Sequence, residues 1–195
     1  KGRAIVDNSK FGICVIGHLR DEKDPLRAAL AARHLPETSA IRIINAGRAH
    51  SPEWENNALA EQAANPRFKW LGEVDKPTIQ QLMLRSRAMV ISSIMEGGAN
   101  VVSEACRAGL PVIASDISGN VGLLGDDYPG YFSVGDDTDL ARIIQRAEQS
   151  PEFLEELADR VVKLASNFTP EAEQAALLAA MDRAVAERAR LSREA

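Results

Sequence analysis

Two glutamates, Glu96 and Glu104, stand eight positions apart in the stretch "MEGGANVVSEACRAGLPVIAS" at 95–115. Glu96 directly precedes the pair Gly97-Gly98. Glu104 falls one turn inside a segment that reads as a helix from about Asn100, stopped by Gly109 and Pro111. The glycines let backbone approach a ligand closely, and the free N–H groups at the helix start form an anion site. A carboxylate ahead of that terminus repels phosphate, so Glu96 suits a neutral group bearing hydroxyls. An acid near a helix N-terminus also gains about 0.3–1 kcal/mol from the helix dipole alone. That accounts for Glu104 in part and for the Gly-Gly pair not at all. A second cluster, "GHLRDEK" at 17–23, offers His18, Arg20 and Lys23. Alone it reads as a solvated loop whose cations offset Asp21, Glu22 and Asp24. Set against the first cluster, it reads as an anion clamp in which Arg and Lys hold phosphate oxygens through charge-assisted hydrogen bonds.

Both clusters need elements that bring them together. Apolar runs at 11–19, 41–47, 67–74, 88–93 and 111–115, with a shorter one at 130–134, read as strands. Helical segments alternate with them. Asp24 is expected to cap a helix with Pro25 at its first position, running to Pro36. Ser51 and Pro52 open a second helix, which ends before Asn65-Pro66. Further helices are expected at 77–86, Asn100 to Ala108, 137–149, 151–166 and 170–192. The alternation predicts a Rossmann-like α/β fold, with about six parallel strands and helices on both faces. With strand order 3-2-1-4-5-6, ligands bind where that order reverses, between strands 1 and 4. The two clusters leave those two strands. The expected organisation is a lead segment at 1–10, the α/β domain at 11–168 and an Ala-rich packing helix at 169–195.

The chain of 195 residues is 45% hydrophobic and 26% charged, enough for one sizeable core. Its net charge of −5 argues against a nucleic-acid or membrane-surface binder, so any anion site must be local. Cys14 and Cys106 sit in apolar runs and the three histidines lack ligand spacing, so no disulfide framework or metal site is expected. No bilayer-length apolar run or signal peptide is visible, which points to the cytoplasm. The segment after the first strand lacks the G-x-G-x-x-G turn, disfavouring an NAD or FAD enzyme, and no P-loop is present. The chain opens at Lys1 with a polar lead, "KGRAIVDNSK", and reads as cut from a longer protein.

The spacing "EGGANVVSE", followed by "AGLPVIASDISGN", resembles the donor-binding C-terminal domain of two-domain GT-B glycosyltransferases with an E-x7-E motif. The resemblance runs from "CVIGHLRDEKDP" through "FKWLGEV" to "GYFSVGDDTDLARII". It implies a nucleotide-sugar donor, no cofactor, and an acceptor bound mainly by a preceding domain. It also implies that Lys23 contacts the donor diphosphate, that amides of Gly97, Gly98, Ala99, Asn100 and Val101 cradle it, and that Gly17 closes the first strand beside it. By the same resemblance Glu96 binds hydroxyls of the transferred sugar, Glu104 binds the ribose, and backbone from Gly72 to Val74 faces the base. Ser118 and Gly119 are expected in the loop after strand 5, close to the donor. The family usually has arginine directly after the glycine ending strand 1, where this chain has His18. Either Arg20 replaces its charge, or His18 is itself a neutral or protonated donor. More narrowly, "GHLRDEKDPLRAAL", "MEGGANVVSEA" and "GNVGLLGDDYPGYF" resemble the selenosugar synthases of selenoneine biosynthesis, which implies transfer of N-acetylglucosamine from UDP to selenophosphate. The rival readings are a sugar-nucleotide 2-epimerase on the same fold and a non-catalytic nucleotide-sugar module.

Overall fold

The computed structural model describes residues 10–194. Six parallel strands, β1 (Phe11–Ile16), β2 (Ile41–Ala46), β3 (Phe68–Trp70), β4 (Ala88–Ile91), β5 (Val112–Ser115) and β6 (Tyr131–Phe132), form one sheet. Their order is β3-β2-β1-β4-β5-β6, the common order supposed above, so the chain doubles back between β1 and β4. Every residue of "AMVI" and "VIAS" is buried, the signature of strands covered on both faces. Ile13, Ile43, Met89 and Ile113 from neighbouring strands are at most 1% exposed. Each such side chain contributes about 1.5–3 kcal/mol by leaving water.

The covering helices are α1 (Arg27–Arg33), α2 (Pro52–Ala64), α3 (Lys76–Arg85), α4 (Asn100–Ala108), α5 (Ser118–Leu124), α6 (Asp137–Gln149), α7 (Pro151–Leu164) and α8 (Pro170–Glu194). Ser51 caps α2, accepting the Trp54 N–H at 3.2 Å with Pro52 in the first turn, and Gly109 ends α4 in the left-handed conformation at φ 64°. Helix α1 packs on α6, and α4 on α7 and α3. Leu177, Leu178, Met181 and Val185 of α8 are each more than half exposed, so the expected packing helix leaves its apolar side chains largely uncovered. Among the described residues no helix is long and apolar enough to cross a membrane.

Three expectations need correction. Asp24 is not a helix cap: "DEK" (21–23) forms a 3-10 turn, Asp24 takes a left-handed conformation at φ 42°, and α1 begins only at Arg27. The predicted strands at 11–19 and 67–74 end at Ile16 and Trp70, because the chain leaves the sheet to build loops. Ser118 and Gly119, expected in the loop after strand 5, instead form the first turn of α5. The lead segment at 1–10 lies outside the described residues except for Lys10.

Candidate functional site

A cleft of about 540 Å³ opens at the carboxyl ends of β1 and β4. Gly17, His18, Arg20 and Lys23 line it from the β1 side, and Glu96, Gly98, Ala99, Asn100, Val101 and Glu104 from the β4 side. Val74 lines it as well. Glu73 lines it too, within the Gly72 to Val74 stretch expected to face the base, whereas Ala46, Gly47 and Ile79 line it without having been singled out from the sequence. Gly72, Gly97, Ser118 and Gly119 do not line the cleft; Gly119 has a different task, described below.

The segment carrying Lys23 is held tightly. The 3-10 turn ends in the left-handed Asp24, a conformation that costs a non-glycine residue about 1–2 kcal/mol. Several contacts offset that cost. The Asp24 carboxylate accepts from Arg27 Nε at 2.7 Å, and its carbonyl accepts from Ser92 Oγ at 2.8 Å. The Glu22 carbonyl accepts the Ile94 N–H at 2.8 Å, so the turn is joined to the chain leaving β4. The Lys23 ammonium then meets the Glu96 carboxylate directly in an ion pair, with side chains only 20% and 11% exposed.

Glu96 is fixed from behind as well. Its Oε1 accepts from Ser93 Oγ at 2.8 Å, while the Ser93 carbonyl accepts from Ser115 Oγ at 2.6 Å. Asn120, fully buried on α5, donates to the Ser115 carbonyl at 2.9 Å. Gly119 lies so close that a Cβ there would fall 2.1 Å from the Glu96 carbonyl oxygen. The glycine therefore acts by letting α5 press against the backbone of the acid.

Glu104 contrasts with this. It projects from a regular helix, is half-buried, and makes no hydrogen bond or ion pair with another described residue. It stands where the cleft meets two further grooves along α4. Among the described residues no side chain caps the start of α4, so its first N–H groups face no competing cap there.

His18 accepts the Arg48 N–H through Nδ1 at 3.3 Å, and its ring centroid lies 5.1 Å from that of His50. Although the residue is exposed overall, partial desolvation lowers its pKa below the usual histidine value. The nearby His50, Arg48 and Arg20 add to that, and Glu73 opposes it. The ring is therefore neutral at pH 7, with the proton on Nε2 as a donor. Arg20 also lines the cleft; its Nε is buried without a hydrogen-bond partner among the described residues, 3.9 Å from Glu22.

The third wall rests on a close approach. A Cβ on Gly47 would fall 1.9 Å from the Gly17 carbonyl oxygen, so the loops leaving β1 and β2 touch backbone to backbone. Gly47 donates to the Gly72 carbonyl at 2.9 Å, and its own carbonyl accepts from Trp70 Nε1 at 2.9 Å. Trp54 Nε1 likewise donates to Asp21 at 3.0 Å, at the start of the turn that carries Lys23. Gly47 had a readable signal: "NAG" after β2 repeats the placement of "VIG" after β1. Ile79 had none beyond its nearness to β3.

Burial pushes the Cys14 and Cys106 thiols up to about 12, so neither is a nucleophile. Among the described residues no group of His, Cys, Asp and Glu could hold a metal ion. The site can hold an anion between Lys23, Arg20, the His18 N–H and the start of α4, with two carboxylates placed to accept from hydroxyls.

Known proteins carry related chains. The family model described as Glycosyl transferases group 1 matches residues 3–168. A UDP-Gal:alpha-D-GlcNAc-diphosphoundecaprenol alpha-1,3-galactosyltransferase of Escherichia coli is 27% identical over 136 residues, which make up 67% of this chain and 34% of that protein. The fold is similar to that of Anabaena HepE in complex with UDP, with a TM-score of 0.76 and 21% identity, covering 89% of this chain and 49% of that one. The same protein in complex with UDP-glucose gives 0.75 and 20%, over 88% and 49%. TarM gives 0.71 and 19%, over 87% and 34%. The chain thus spans about a third of the curated relative's length and at most about half of these solved chains.

Proposed function

The chain belongs to the glycosyl transferases of group 1, and from that premise we propose that its cleft holds a uridine diphosphate sugar for transfer to a nucleophilic acceptor. The observation that carries this reading is the convergence of Lys23, the uncapped start of α4 and two separately placed acids where strand order reverses. Diphosphate would lie between Lys23, Arg20, the His18 N–H and the amides of Gly98 to Val101. Ribose hydroxyls would donate to Glu104, and the base would lie along Val74 and Ile79. Hydroxyls of the sugar would donate to Glu96.

The reaction is displacement at the anomeric carbon. The bond from that carbon to the diphosphate oxygen breaks, its electron pair leaves with the nucleoside diphosphate, and the acceptor forms the new bond. Charge growing on the diphosphate is what the cations and helix amides stabilise, and Glu96 orients the sugar. The sugar assigned is N-acetylglucosamine and the acceptor selenophosphate. Both rest on the resemblance of "GHLRDEKDPLRAAL" and "GNVGLLGDDYPGYF" to selenosugar synthases. A preceding domain of GT-B type would bind most of the acceptor.

The test has two steps. A thermal-shift panel of UDP-, GDP- and ADP-sugars reads the nucleotide; a ligand at 100 times its Kd stabilises by about 2.7 kcal/mol. Product analysis with UDP-N-acetylglucosamine and selenophosphate then reads the chemistry in a protein that carries both domains. Free UDP with a selenium-linked sugar supports the reading. An epimerised sugar nucleotide overturns the transfer reaction, and binding without turnover overturns selenophosphate as the acceptor.

A further inference from the structure

Building on the reading of the cleft as a UDP-sugar site, we propose that Glu96 discriminates between the nucleotide sugar and the bare nucleoside diphosphate by competing with the diphosphate for Lys23. Lys23 and Glu96 form a direct ion pair in a mostly shielded position, where their attraction is screened much less than on an open surface. The backbone beneath both partners is anchored. Lys23 rides on a 3-10 turn stitched to the chain after β4, and Glu96 is held by Ser93 and by the close approach of Gly119. A diphosphate that reaches Lys23 therefore meets an ammonium already neutralised by a fixed carboxylate. That carboxylate also repels the phosphate oxygens.

A sugar on the diphosphate changes this balance. Lys23 and Ser93 both bond Oε1 of Glu96, and no described residue bonds Oε2. Hydroxyls that donate to the carboxylate replace what the ammonium gave it and offset its charge, so Lys23 can turn to the phosphates. Once the sugar has left, Glu96 reclaims Lys23 and the spent nucleotide is held less well. The same carboxylate would thus favour entry of the donor and exit of the product.

Calorimetric titration of the chain with UDP, UDP-N-acetylglucosamine and uridine tests this on wild type, Glu96→Gln, Lys23→Ala and the double variant. Glu96→Gln is expected to tighten UDP by about tenfold, the lower end for a hydrogen bond to a charged group. It leaves uridine unchanged and gives UDP-N-acetylglucosamine no comparable gain. In the Lys23→Ala background the same substitution is expected to gain less than about threefold, because the competition needs both partners. Glu96→Ala reads the same difference if the glutamine variant does not fold. Three results overturn the proposal: unchanged or weaker UDP binding by Glu96→Gln, an equal gain for the nucleotide sugar, or an undiminished gain without Lys23. If the wild type binds no uridine nucleotide at all, the function assigned to the cleft fails and this inference fails with it.

Discussion

The turn that carries Glu96 and the helix that carries Glu104 present the same chemical group to one cleft, yet they are built in opposite ways. Glu96 is packed by Gly119, bonded by Ser93 and paired with Lys23, so its place depends on β5, α5 and the turn after β1 together. Glu104 depends on α4 alone and has no bonded partner among the described residues. An acid held by many neighbours is already committed before a ligand arrives, and one on a bare helix face keeps its full hydrogen-bonding capacity for that ligand. The first arrangement suits selection between ligands; the second suits plain attachment.

The strongest way to break the contrast is at Gly119. Gly119→Ala drives a methyl into the Glu96 backbone and is expected to cost roughly 1–3 kcal/mol or more, read by urea unfolding. Gly97→Ala, with nothing within 4 Å of the added carbon, should stay within about 0.5 kcal/mol. Equal costs at the two glycines would mean that α5 does not brace Glu96. Next in size is the ligand side. Glu104→Gln should weaken both UDP and uridine by about 1.5–3 kcal/mol while leaving the melting temperature nearly unchanged. Lys23→Ala should weaken UDP by a similar amount but spare uridine, which has no phosphate. A Glu104→Gln variant that binds uridine like the wild type would remove its ribose role.

The smallest effect is expected at His18. Its folded pKa is depressed, so as pH falls below about 6.5 the unfolded chain takes up the proton first and the native state loses stability. That loss sets in between the ordinary histidine value and the lower folded one. His18→Gln should flatten the stability profile in that window, and UDP should raise the His18 pKa seen by NMR, since phosphate favours the imidazolium. A wild-type His18 that titrates above the ordinary value would contradict the neutral tautomer held by the Arg48 N–H.

The sheet was readable because its signals are local: runs of apolar character at 88–93 and 111–115, which hold β4 and β5, and stops at Gly109 and Pro111. The strand order is the common one for such sheets, and on that order the meeting of the "GHLRDEK" and "MEGGAN" segments could be anticipated. Contacts made between segments were not legible. Nothing local in "GHLRDEKDP" shows that Asp24 turns left-handed, because Ser92 and Arg27 stabilise that turn from outside. Gly119 was noticed for its nearness to the donor loop, but its task depends on the position of Glu96, more than twenty residues earlier. The pairing of Lys23 with Glu96 was hidden for the same reason: the sequence showed two groups, each with its own ligand, and not that they hold each other.

Both tryptophans of the chain are anchored by their indole N–H to loops that form the cleft, Trp70 to the Gly47 carbonyl and Trp54 to Asp21. Indole emission responds to the field and hydration around the ring, and both indoles of this chain sit on walls that a ligand would move. The chain consequently carries its own optical gauge. A colour shift or quench on adding nucleotide, lost selectively in Trp54→Phe or Trp70→Phe, would tell which wall shifts without any attached dye.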